Sequence, residues 1–326
     1  MTSARTVRTG RRTVALHRPE KILFPAADEP DTGGSPDRDA SPAGAPDDGG
    51  GYSKADLFDY HRAVAPFMLP HLRGRPLMLD RRPDGVAGPR FLQQDTPDHY
   101  PDWITRAEVP KKEGGTVTHT VCDDTATLLF LADQACLTLH RWLSRIGRLD
   151  HPDRMVLDLD PAGDDFPAVR AAARLAGELL DQLGLPSALM TTGSRGLHVI
   201  VPLNGHHDFD DVRDFAKDVA DTLAAAHPDR LTTAARKKDR GSRLYLDVQR
   251  NAYAQTAVAP FSVRAAPGAP VAVPLAWEQL DDPAVHARRW TIADAVEQAR
   301  TDPWAGVLRS GRALGPARRK LRALRG

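Results

Sequence analysis

The sequence predicts an α+β fold. Short apolar segments with two-residue alternation, such as MVLDLDP and RLYLDVQ, read as strands. Longer segments with helical periodicity, such as DDFPAVRAAARLAGELLDQLG, read as amphipathic helices. The two kinds are mixed without a strict repeat, which suggests α+β, and no internal repeat is visible.

In chain order, HRPEKILFP opens the fold, and YSKADLFDYHRAVAPFMLPHLRG follows as a helix in which Leu57, Tyr60, His61, Val64 and Phe67 recur at helical spacing, with Ser53 as its N-cap. PLMLDRRPDG and GPRFLQQ are strands around a Pro-Asp-Gly turn, and GGTVTHTVCDD is another strand. TATLLFLADQACLTLHRWLSR is strongly apolar and helix-sized. After the strand MVLDLDP comes the amphipathic helix ending at Gly184, then SALMTTGSRGLHVIVPL as a strand pair joined by a Gly turn. DFDDVRDFAKDVADTLAAAHPD is a further helix, and RLYLDVQ and QTAVAPFSVRA are strands.

With 326 residues, 41% of them hydrophobic, the chain is long enough for one folded domain with appendages, expected over 1–25 plus 52–300. Residues 26–51 carry no aliphatic or aromatic residue larger than Ala and read as a disordered acidic Pro/Gly-rich insert. Six Asp, one Glu and one Arg give that insert a charge of −6; the whole chain carries +1, so the remainder carries +7. Residues 301–326 form a basic C-terminal tail, whose last 18 residues hold seven Lys/Arg and no acid; it reads as solvated, or as a non-specific contact to nucleic-acid phosphates. Arg5, Arg8, Arg11 and Arg12 at the other end read as a solvated tail. No run of about 18 apolar residues exists, and two cysteines give no disulfide framework, so a cytoplasmic, reducing location with no membrane contact is expected.

The chemistry is concentrated in three carboxylates. Alternation in MVLDLDP sends Met155, Leu157 and Leu159 to one face and Val156, Asp158 and Asp160 to the other, with the two Asp about 7 Å apart at Cα. Like charges so close on a buried strand need a cation, and a divalent one with a preference for hard oxygen ligands is the simplest. Asp247, on the strand RLYLDV, is a natural third ligand. Such a site suits in-line displacement at phosphorus. Arg240, Arg243 and Arg264 lie near Asp247 in sequence, and Arg195 and His198 sit in TTGSRGLH, whose Gly193 and Gly196 backbone could cradle phosphate. A hairpin with a polar tip presents the same turn. Likewise a D-x-D pair alone is also what loops and caps present; the apolar strand before it and the second Asp-bearing strand favour metal.

The ordered series HRPEKILFP, YSKADLFDYHRAVAPFMLPHLRGRP, RRPDG, LHRWLSR, DRMVLDLDP, TTGSRGLHVIVPL, RKKDRGSRLYLDVQRN and VAPFSVRA resembles the polymerase domain of bacterial non-homologous end-joining DNA ligases, in the archaeo-eukaryotic primase superfamily. The resemblance implies a primase-like core of largely antiparallel sheets flanked by helices. It implies that Asp158, Asp160 and Asp247 bind two Mn²⁺ or Mg²⁺ ions, with Mn²⁺ favoured. His140, Thr192, His198, Arg240 and Arg264 would contact the incoming NTP or dNTP, Thr192 standing where the family usually has Ser. Lys21 and Lys54 would grip the 5′-phosphate of a DNA end or gap, and Phe91 would stack on the template beside it. Two positions depart from the pattern: Leu92 replaces the second aromatic of a Phe-Phe pair, and Asp80 stands where Lys is common, with Arg81 and Arg82 left to supply the charge.

No K-x-D-G motif is present, so a stand-alone, nucleoid-associated polymerase working with Ku and a separate ATP-dependent DNA ligase is expected. His119, Cys122, Cys136 and His140 superficially form a zinc spacing, but the residues between the cysteines read as an apolar helix, which favours buried free thiols. Without the resemblance, His198 reads as a core histidine, Lys21 and Lys54 as surface lysines and Phe91 as core. The competing functions are a primase that initiates strands de novo, a glycosyltransferase using D-x-D to hold a sugar nucleotide, and a catalytically inert DNA-end binder.

Overall fold

A computed structural model of the chain describes residues 5–27, 51–111 and 113–325. The acidic insert therefore lies, apart from its first two residues and its last, outside the described residues. In chain order the strands are β1 (Arg5–Thr9), β2 (Arg12–Leu16), β3 (Ile22–Phe24), β4 (Tyr52–Ser53), β5 (Leu77–Arg81), β6 (Phe91–Gln93), β7 (Arg106–Pro110), β8 (Thr116–Thr120), β9 (Cys136–Trp142), β10 (Arg154–Asp160), β11 (Ala188–Thr191), β12 (Leu197–Pro202), β13 (Leu231–Thr232), β14 (Leu244–Asp247), β15 (Thr256–Val258) and β16 (Pro274–Leu275). The helices are α1 (Lys54–Leu72), α2 (Thr125–Asp133), α3 (Phe166–Leu183), α4 (Phe209–Ala226), α5 (Ala295–Arg300) and α6 (Leu314–Arg325).

The chain divides into two compact units: 1–140 with 258–273 and 290–301, and 141–257 with 274–289 and 302–326. The first unit is built around α1. Ser53 caps it, as the sequence predicts, and the structure adds a reciprocal box with Asp56; Leu57, Phe58, Val64 and Met68 are fully buried. A four-stranded sheet, β15-β9-β5-β6, and the hairpins β1-β2 and β7-β8 complete it. The basic N-terminal stretch is thus a strand hairpin rather than a solvated tail: Arg5 pairs with Asp59 at 2.8 Å, and Arg12 pairs with Asp124 and stacks over Trp103.

One predicted helix is corrected here. TATLLFLADQACLTLHRWLSR is α2 followed by β9, broken at Ala135, which sits in the left-handed region at φ 55°. Cys136–Trp142 then alternates as a buried strand.

The second unit is a six-stranded sheet, β13-β14-β10-β12-β11-β16, antiparallel except for the β13-β14 pair. Its helices are amphipathic: α3 buries Val169, Ala173, Ala176 and Leu180 and ends at Gly184 in the left-handed conformation, while α4 buries Val212, Phe215, Val219 and Leu223. The predicted basic tail is not free. In α6, Leu314, Ala317 and Leu321 are buried as the helix packs on α3 and α4, and Arg318 and Arg325 pair with Asp211 and Asp218 at 3.4 and 2.9 Å. No helix among the described residues is long and apolar enough to cross a membrane.

Candidate active site and nucleic-acid interface

The register of the six-stranded sheet assembles the carboxylates. Asp158 in β10 lies opposite His198 of β12 on one side and Asp247 of β14 on the other, and Asp160 lies opposite Tyr245. All three Asp positions therefore share one face of adjoining strands. Asp158 is deeply placed: burial alone would push its carboxyl up, but His198 at 3.5 Å and Arg250 at 3.2 Å together outweigh that, and its pKa falls to about 2. Arg195 reaches Asp160 at 3.1 Å and Arg240 at 3.6 Å. Asp247 accepts from the Gln249 backbone N–H at 2.8 Å and from the Tyr245 hydroxyl at 3.4 Å.

Three carboxylates from two paired strands form a donor set of the chemistry that hard divalent ions take. Their oxygens do not converge, however: among the described residues no group of three or more His, Cys, Asp or Glu is arranged to hold a metal. Guanidinium groups neutralise the carboxylates instead, so an ion would have to compete with Arg195 and Arg250 for Asp160 and Asp158.

The turn between β11 and β12 is closed by Thr192, whose hydroxyl donates to the Gly196 carbonyl at 3.1 Å and accepts from the Ser194 and Gly196 N–H groups at 3.3 and 3.2 Å. Gly193 takes φ 63°. Gly196 is required for a different reason: a Cβ there would fall 2.0 Å from the Leu159 carbonyl, between the two Asp of β10. His198 is 3% exposed, and its Nδ1 has no hydrogen-bond partner among the described residues. Arg240 is fixed by the Ala234 and Ala235 carbonyls at 3.0 and 2.8 Å and lies 3.7 Å over the Tyr245 ring. Arg243 is turned back onto its own loop, donating to the Arg240 and Asp239 carbonyls at 2.9 and 2.7 Å. Arg250 escaped the sequence reading; its position three residues after Asp247, in the 3-10 turn Gln249–Asn251, was the available signal.

The other expected site residues belong to the first unit. His140 is in β9, half-buried, and Arg264 follows on a segment tied to that strand, since the Ala265 N–H donates to the Thr138 hydroxyl at 3.1 Å. Lys54 is not a surface lysine. It is 4% exposed, its Nζ donating to the Asp133 carbonyl at 2.7 Å and reaching the Asp133 carboxylate at 3.3 Å. Burial lowers its pKa, against the pull of Asp133. It opens on a pocket of about 180 Å³ also lined by Arg81, which the sequence reading offered as a source of charge beside Asp80, and by His17, Arg18 and Gln134, which it did not single out. Lys21 pairs with Asp84 of the Pro-Asp-Gly turn at 2.6 Å. Phe91 and Leu92 are 54% and 53% exposed.

The zinc-like spacing is not a metal cluster. Cys122 and Cys136 are buried and free, burial pushes both thiols up, that of Cys136 to about 12, and His119 Nδ1 bonds the Leu77 carbonyl at 2.9 Å.

Comparison with known proteins adds an independent line. Residues 53–304 match the family model of the LigD primase-polymerase domain. The multifunctional non-homologous end joining protein LigD of Pseudomonas aeruginosa is 32% identical over 273 residues, covering 82% of this chain and 32% of that protein. The multifunctional non-homologous end joining DNA repair protein LigD of Mycobacterium tuberculosis H37Rv is 35% identical over 244 residues, 72% of this chain and 32% of its own length. The polymerase domain of Mycobacterium tuberculosis Ligase D, solved in complex with DNA, superposes with a TM-score of 0.79 at 29% identity, covering 92% of this chain and 99% of that one. The chain thus spans about a third of the length of these two LigD proteins.

Proposed function

The chain belongs to the LigD primase-polymerase domain family, and from that membership we propose that it is a DNA-repair nucleotidyltransferase extending a primer strand at a 5′-phosphorylated break or gap during non-homologous end joining. The observation that carries the reading is the register placing Asp158 opposite Asp247 and Asp160 two residues along the same strand. In this reading the primer 3′-oxygen attacks the α-phosphorus of an NTP or dNTP, its proton is lost, and pyrophosphate leaves.

Asp158, Asp160 and Asp247 would hold two Mn²⁺ or Mg²⁺ ions, which when bound lower the pKa of the attacking hydroxyl and neutralise the triphosphate. The residues of the chain then have distinct tasks. Arg195 and Arg240, which face Asp160, supply fixed charge to the triphosphate, and the carbonyl anchors of Arg240 keep its guanidinium preorganised. Arg250 and His198 hold Asp158 ionised, so that it is ready as a ligand at any physiological pH. Thr192 shapes the turn against which the nucleotide would lie, and the family resemblance assigns nucleotide contacts to His140 and Arg264 as well. Arg243 serves best as the brace of the Arg240 loop.

In the first unit, the pocket lined by Lys54, His17, Arg18 and Arg81 suits a 5′-phosphate, with Lys21 beside it and Phe91 as a stacking surface for a template base. Ku and an ATP-dependent ligase activity are the partners such an enzyme requires. Ribonucleotides are the preferred substrates.

Purified chain given gapped, 5′-phosphorylated DNA, Mn²⁺ and NTPs or dNTPs should extend the primer, more efficiently with NTPs. Absence of extension with every nucleotide and metal would refute the reading, and dinucleotide synthesis without a primer would identify a primase instead.

A further inference from the structure

The two-stranded edge formed by β5 and β6 has a second charged face, opposite the one that carries Phe91. The register pairs Arg81 with Phe91 and Asp80 with Leu92. Alternation therefore puts Arg81 and Phe91 on one side of the ribbon, where Arg81 joins the Lys54 pocket, and Asp80 and Leu92 on the other.

On that other side Asp80 is 4% exposed and gathers two guanidinium groups: Arg82 Nε donates to one carboxylate oxygen at 3.1 Å and Arg90 Nε to the other at 2.9 Å. The two arginines are not equivalent. The Arg82 side chain is 17% exposed and also donates to the Val86 carbonyl at 2.9 Å, which ties it to the turn. The Arg90 side chain is 50% exposed, touches Asp80 through Nε alone, and has no other hydrogen bond among the described residues. Its two terminal nitrogens are left for an outside acceptor, in the fork geometry that suits phosphate. A buried carboxylate costs several kcal/mol unless paired. Here one carboxylate holds two cations, so the cluster carries a net +1 beside an exposed Leu92.

We infer that Arg90, oriented by Asp80, binds a backbone phosphate of the DNA strand on the ribbon face opposite Phe91, so that the β5-β6 edge is gripped by DNA on both sides. Asp80 is a positioning residue and does not touch DNA. The inference rests on the DNA-end reading above.

The experiment is fluorescence anisotropy of the whole chain with 5′-phosphorylated, recessed-end DNA across a salt series. Arg90→Gln changes a half-exposed side chain and should weaken binding several-fold while reducing the slope of log affinity against log salt by about 0.9, the contribution of one phosphate contact to duplex DNA. Asp80→Asn adds one positive charge, which electrostatics alone would make tighter-binding; the positioning role predicts weaker binding with an unchanged slope. A melting curve of each variant separates misfolding from lost contact. Wild-type affinity and slope in Arg90→Gln, or tighter binding by folded Asp80→Asn, would overturn the inference alone. Failure of the wild-type chain to bind any DNA would instead remove the reading on which it rests.

Discussion

Asp158 is held between Asp247 and His198 across the sheet, with Arg250 as its cation, so removing its charge leaves a buried histidine and an arginine facing nothing. Asp158→Ala should reduce primer extension at least 100-fold and also lower the melting temperature, because Arg250 and the buried His198 lose the carboxylate they pair with. Gly196→Ala should strike both through packing rather than charge: the new Cβ meets the Leu159 carbonyl, and overpacking of that kind costs about 1–3 kcal/mol. Thermal melting and the extension assay on the same sample check both expectations.

His61 makes a separate acid-stability prediction. It is fully buried in α1, and burial lowers its pKa from 6.5 to about 4, against a smaller opposing pull from the Leu128 backbone. The unfolded chain takes up this proton as pH falls below about 6.5, while the folded chain resists until about 4. The stabilisation is complete above that window and lost through it, on the order of 3 kcal/mol. Urea midpoints measured down the window should fall, and His61→Gln should flatten that fall.

At the scale of elements, what was legible followed from local rules. Ser53 marks the start of α1, the 3.6-residue period marks α3 and α4, and alternation marks β10 and β14. Ser53→Ala should cost about 1 kcal/mol through loss of the cap. The α2-β9 boundary was hidden because neither Gly nor Pro marks it; Ala135 adopts the left-handed conformation by tertiary constraint, and both sides of the break are equally apolar. The carboxylate-bearing residues were legible, as were Arg195, Arg240 and His198 beside them, but Arg250 was not, because it meets Asp158 only through the β10-β14 register; likewise the Arg81 contribution to the Lys54 pocket depends on the packing of β5. In α6 the basic composition masked three apolar positions, Leu314, Ala317 and Leu321. Leu321→Ala should therefore lower stability by about 2–3 kcal/mol, as measured by denaturant unfolding, where a solvated tail would show no change.

For the whole molecule, the near-neutral net charge of +1 combines an insert of −6 with a remainder of +7. Deleting residues 28–50 should tighten DNA binding at low salt, with the difference vanishing as salt rises, since the effect is long-range and screened. Family membership removes the sugar-nucleotide alternative that the D-x-D pair left open, because the matched residues run through both Asp-bearing strands. Primer extension on gapped, 5′-phosphorylated DNA with Mn²⁺, comparing the wild-type chain with Asp158→Ala, Asp160→Ala and Asp247→Ala, addresses the central claim most directly. Extension by the wild type and its loss in all three folded variants is the expected result; retained extension in any one of them would contradict the assignment of that carboxylate to catalysis.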